Sequence, residues 1–75
     1  MGKNMPGLLG PKVDVFTVDE VEDDEKQQDL IRGELEWRWP GRAVSSMTII
    51  PGMRSVDPRI RVRTLRCYVV WDQNV

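Results

Sequence analysis

A chain of 75 residues with one cysteine and no histidine has few means of stapling a small fold together. Below roughly 70–80 residues a single hydrophobic core seldom suffices, and disulfides, metals or oligomerisation usually make up the difference. Cys67 has no second cysteine in the chain to pair with, and the commonest metal ligand is missing. Oligomerisation remains, so the sequence predicts one small domain that forms a homo-oligomer, a dimer or larger.

The formal net charge of −1 conceals an asymmetry. Residues 1–36 hold ten acids against four bases, a net −6, whereas residues 37–75 hold two acids against seven arginines, a net +5. Such a division suits a nucleic-acid or protein surface with an acidic counterpart. It suits equally well two halves that lie side by side and neutralise each other.

The clearest periodicity falls at residues 30–39, LIRGELEWRW. Ile31, Gly33, Leu35, Trp37 and Trp39 alternate with Arg32, Glu34, Glu36 and Arg38, which predicts a half-buried strand ended by Pro40-Gly41. Residues 12–18, KVDVFTV, are rich in β-branched side chains and predict another strand. Between them, residues 19–29 carry six acids in their first seven positions and read as a solvated acidic loop or a fraying helical turn. Residues 43–50, AVSSMTII, predict a third strand closed by Pro51-Gly52. Residues 59–72, RIRVRTLRCYVVWD, predict a fourth and longest one, with a phase slip near Thr64 that a β-bulge would absorb. Residues 1–11, with three glycines and two prolines, read as a flexible arm.

The expected fold is therefore all-β: a small antiparallel sheet or partial barrel of about four strands, formed by one domain over residues 12–75 and completed by self-association. No run of about 18 apolar residues offers a transmembrane helix. The N-terminus lacks the apolar core of a signal peptide, and Pro6 breaks the myristoylation pattern. A soluble, intracellular protein that does not engage membranes is expected.

Catalysis requires a base poised near neutral pH or an activated nucleophile. Without histidine the usual triads are unavailable, and Cys67 reads as a small apolar side chain on a strand face. No phosphate loop, dinucleotide fingerprint, zinc spacing or calcium-loop order is present. No enzyme, no cofactor and no metal site are expected.

Binding is the better prospect. Arg59, Arg61 and Arg63 alternate, so a strand would hold three guanidinium groups on one face about 6–7 Å apart, a spacing suited to phosphates, with Arg66 extending the patch. Glu34 and Glu36 offer the competing use of these arginines, as cross-strand ion pairs. Trp37, Trp39 and Trp71 are the candidates for a buried self-association face, or for stacking platforms if exposed. The segment VDVFTVDEVEDDE, residues 13–25, has the form of a strand that adds to another protein's sheet edge, its acids steering towards a basic groove.

The stretch VRTLRCYVVWDQNV is similar to one in the capsid proteins of small circular single-stranded-DNA viruses. The likeness rests on Val62 and Arg63 leading into Val69, Val70 and Trp71, then Asp72 and Gln73. It implies a virion component. It covers about 14 residues, and the chain departs from the pattern twice. A jelly roll needs about eight strands, twice what 75 residues hold, and the segment that leads in is acidic rather than basic.

The leading expectation is a non-catalytic protein-interaction and oligomerisation module. The alternatives are a nucleic-acid-binding β protein using the arginine ladder and a structural capsid-type component.

Overall fold

A computed structural model describes residues 12–72 of the chain. The expected arm at residues 1–11 and the terminal Gln73, Asn74 and Val75 lie outside the described residues. The elements follow the order β1 (Val13–Asp19), α1 (Asp24–Arg38), β2 (Val44–Pro51) and β3 (Thr64–Trp71). The strands form one three-stranded sheet in the order β1-β3-β2, with β3 antiparallel to both neighbours. The expected small antiparallel sheet is present, but the fold is not all-β and has three strands rather than four.

The main correction concerns residues 30–39, which belong to a helix and not to a strand. Ile31, Leu35 and Trp39 are four residues apart, a spacing that serves an alternating strand and a 3.6-residue helix equally well. The segment upstream decides between them. Asp23 caps the helix: its Oδ1 accepts from the amides of Glu25 at 2.9 Å and Lys26 at 3.2 Å. Asp24 and Glu25 stand at the positive end of the helix dipole and Arg38 at the negative end. Arg32 pairs with Asp29 and Arg38 with Glu34, one turn away in each case. The Gln27 side chain ties the entry down, accepting from the Val21 amide at 2.7 Å and donating to the Asp19 carbonyl at 3.1 Å. The acidic run at 19–29 is therefore divided among the end of β1, a short link and the first turns of α1. Pro40-Gly41 ends the helix, with Gly41 at φ 78°, where a side chain would be strained.

The fourth expected strand also starts later than the alternation suggests. β3 begins at Thr64, and residues 59–63 lie in the connection from β2. A strand needs a neighbour, and both neighbours stop there: Asp19 pairs with Thr64 and Pro51 with Leu65. The phase slip near Thr64 is the start of the strand rather than a bulge. The register irregularity sits instead on β2, between Val44 and Ser46.

One face of the sheet is covered by α1. Phe16 and Val18 of β1, Leu65, Cys67, Val69 and Trp71 of β3, and Ile31 of α1 form the buried core, with Leu35, Trp39 and Met47 packed around it. Trp39 meets Phe16 and Trp71 edge-on, with ring centroids 5.9 and 5.2 Å away. Among the strands, only β1 has its backbone close to α1, so the helix covers one side of the sheet and leaves the β2 side bare. The opposite face of the sheet, carrying Val13, Val15, Ile50, Arg66, Tyr68 and Val70, has no covering element among the described residues.

Candidate interaction surface

The arginines expected to form a ladder are spread over a loop and a strand. Arg59 folds back on Asp57, with Nη2 2.8 Å from Oδ2. That contact, with the Arg59 amide at 2.9 Å from Oδ1, holds the Asp57 carboxyl below its usual range and raises the arginine. Arg63 makes a two-pronged pair with Glu20, at 2.9 and 3.1 Å. The hydrogen bonds from Arg63, and more weakly the charge of Arg54, hold the Glu20 carboxyl down. Glu20 thus takes the role expected of Glu34 and Glu36. Glu34 is engaged with Arg38 on the helix instead, because that segment never lies beside β3 as a strand.

Arg61, Arg54 and Lys26 line a cleft of about 880 Å³ together with Glu20, Glu22, Asp23 and Asp24. The basic half and the acidic half of the chain therefore lie together. The opposing carboxylates make this cleft a poor receptor for phosphate. Arg66 lies apart from the others, on the uncovered sheet face beside Tyr68 and with no ion pair to a described residue.

The three tryptophans do not form one face. Trp71 is buried, and its Nε1 donates to Asp14 Oδ2 at 2.6 Å. Arg42 covers its ring at 4.6 Å. Trp39 packs between Phe16 and Trp71. Trp37 alone points outward, 79% exposed. Successive helical residues are about 100° apart, so positions 37 and 39 sit about 200° apart around α1.

Cys67 is fully buried, and burial raises its thiol pKa, which keeps it a neutral apolar side chain at physiological pH. Among the described residues no three histidine, cysteine, aspartate or glutamate side chains gather as metal ligands. No helix of the described residues is long and apolar enough to cross a membrane.

Exposed apolar side chains include two groups near β1, while Val44, Ile49, Met53, Val56, Ile60 and Val62 lie on β2 and in the connection to β3. On the uncovered sheet face Val13, Val15 and Ile50 are about half exposed. On the helix, Leu30 and Trp37 lie seven residues apart and so on the same flank. A recess of about 310 Å³, lined by Thr17, Val18, Asp19, Leu30 and Glu34, lies between Leu30 and β1. The sequence reading missed Leu30 because it sought alternation; the i, i+7 spacing to Trp37 was the available signal. Glu20 and Asp14 were missed because their partners lie 43 and 57 residues away.

No family model matches the chain, and no curated protein or solved structure matches it.

Proposed function

We propose that this chain is a non-catalytic protein-interaction module that associates with itself. The observation that supports it is the apolar surface left exposed beside β1: Leu30 on the helix, across a recess from the strand, and Val13 and Val15 on the open face of the sheet. Apolar surface left exposed on a small domain in this way suits an interaction site. A three-stranded sheet with one helix also leaves more core-like surface uncovered than so short a chain can enclose alone. Opposite charges are spent within the chain, Glu20 on Arg63 and Asp57 on Arg59, so apolar burial rather than ion pairing drives the association.

Light scattering coupled to size exclusion tests this, run at low and high salt with and without a single-stranded oligonucleotide. The expected result is a salt-resistant particle of at least two chains that ignores the oligonucleotide. A monomer under all conditions contradicts the proposal.

A second reading has one specific observation behind it. Arg66 stands beside Tyr68 at the centre of an uncovered sheet face, where a base can stack on the ring and a phosphate meet the guanidinium. Under that reading a monomer shifts onto the oligonucleotide at low salt only, and Arg66→Ala weakens the complex. The protein-interaction reading ranks first because Arg59 and Arg63 are engaged in ion pairs and Arg54 and Arg61 face carboxylates.

A further inference from the structure

The sheet has two free edges, β1 and β2, and they are not equivalent. Hydrogen bonds at the ends of the ladders fix which amides point outward. The Trp71 amide donates to the Lys12 carbonyl and the Glu20 amide to the Arg63 carbonyl. In an antiparallel ladder the pairing groups alternate. Residues 12, 14, 16, 18 and 20 therefore bond to β3, and Val13, Val15 and Thr17 turn their amides and carbonyls away from the sheet. The next outward carbonyl, that of Asp19, is already taken by Gln27.

On the other edge the Gly52 amide donates to the Thr64 carbonyl. Residues 46, 48 and 50 bond to β3, and the outward positions are Met47, Ile49 and Pro51. Pro51 has no amide to offer, and the irregularity between Val44 and Ser46 distorts the far end. A proline and a bulge are both devices that blunt an edge strand. β1 has neither.

We infer that β1 is the seam of self-association: a second copy of this chain adds across Val15 and Thr17 in antiparallel register, with Phe16 on the two-fold axis. This rests on the self-association proposed above and says where it occurs. Charge disfavours the neighbouring register. With Phe16 on the axis, Val15 of one copy faces Thr17 of the other, and Asp14 faces Val18. A two-fold axis at Thr17 would instead set Asp14 against Glu20, carboxylate against carboxylate. The axis is perpendicular to the sheet, so the two α1 helices lie on the same side, antiparallel and next to each other. Leu30, 43% exposed, overlooks this edge across the recess at Thr17 and Val18. In the pair each Leu30 turns from solvent onto the other copy. The product is a six-stranded sheet in the order β2-β3-β1-β1-β3-β2, an isologous and closed dimer whose remaining edges are the two blunted ones.

Sedimentation equilibrium on the full chain tests this with three variants. Val15→Pro removes an outward amide that gives nothing to β3, Leu30→Ala trims a side chain at the recess that lies outside the core cluster, and Ile49→Pro makes the Val15-type change on β2. The expected result is a wild-type dimer whose Kd rises about tenfold or more in Val15→Pro and in Leu30→Ala, with Ile49→Pro unchanged. Circular dichroism confirms that each variant is folded, and Leu30→Ala keeps the test decisive if proline at 15 unfolds the strand. A wild-type dimer left intact by Leu30→Ala, or dissociated by Ile49→Pro alone, overturns the seam while leaving self-association standing. A wild-type monomer at about millimolar concentration overturns both.

Discussion

Trp71 Nε1 donates to Asp14 Oδ2 at 2.6 Å, joining the last residue of β3 to the start of β1 across 57 positions of sequence. The indole ring is buried, so its N–H has little access to water, and Asp14 is the acceptor that makes burial tolerable. Asp14→Ala should therefore destabilise the fold by about 1–3 kcal/mol, the cost of a buried donor without a partner. Asp14→Asn retains an acceptor oxygen and should recover a large part of that. Urea denaturation of the two variants gives the comparison, and equal losses in both would show that the contact contributes charge rather than an acceptor.

The Glu20–Arg63 pair bridges the acidic and basic halves and makes a definite statement about pH. Arg63 holds the Glu20 carboxyl below its ordinary value of 4.5. A carboxyl with a lowered folded-state pKa stabilises the fold above its unfolded pKa, and the contribution is lost as pH falls through the folded pKa. Thermal midpoints should hold from neutral pH down to about 4.5 and drop below it. In Glu20→Gln the neutral-pH midpoint should be lower and the acid drop shallower. An acid profile in Glu20→Gln that parallels wild type would remove this pair from the account.

Two glycines should respond to alanine with opposite sign. Around Gly33, in the interior of α1, a Cβ would meet nothing within 4 Å. Gly33→Ala should stabilise the chain by about 0.5–1 kcal/mol through helix propensity alone. At Gly52 a Cβ would come 2.9 Å from the Thr64 carbonyl oxygen, at the point where the Gly52 amide bonds that same oxygen. Gly52→Ala should destabilise by about 1–3 kcal/mol, the range for forced overpacking. Thermal unfolding of both variants checks the pair, and stabilisation at position 52 would mean that the close approach is absent in solution.

The cap at Asp23 helps start the helix over residues 24–38. Asp23→Ala removes the acceptor for two amides and should cost about 1 kcal/mol, with a loss of helical ellipticity at the first turn. Asp23→Asn or Asp23→Ser should restore much of it. No change in either stability or ellipticity would indicate that Gln27, through its bonds to Val21 and Asp19, suffices to start the helix.

These residues also show how far the sequence could be read. β1 and β3 were legible, because β-branched side chains at 13, 15, 17 and 18 and alternation at 65, 67, 69 and 71 have a single periodic interpretation. Positions 31, 35 and 39 have two. Gly33 and Trp37 would have joined the apolar face of a strand, whereas in the helix they leave it. The deciding signals lay upstream and were local: Asp23 with two acids after it, and a 15-residue segment dominated by good helix formers. The arginine ladder failed for a non-local reason. Residues 59–63 alternate as a strand would, but β1 and β2 both end opposite Thr64 and Leu65, leaving no neighbour to pair with. The neutralisation of one half of the chain by the other was visible in the charge count; that Glu20 would be its agent was not, since it depends on β1 and β3 being adjacent.

Burial of Cys67 offers a simple check on the core. A buried neutral thiol reacts only when the fold opens. Labelling by a disulfide reagent at neutral pH should be slow in buffer and complete in denaturant. Prompt labelling in buffer would mean that the packing around Val69 and Cys67 is loose.

Amide hydrogen exchange measured at two protein concentrations tests self-association across β1 most directly. If the chain associates with itself there, the outward amides of Val15 and Thr17 exchange slowly in concentrated solution and quickly on dilution, while Met47 and Ile49 exchange at the same rate in both. Exchange at Val15 and Thr17 that is fast and independent of concentration would contradict it.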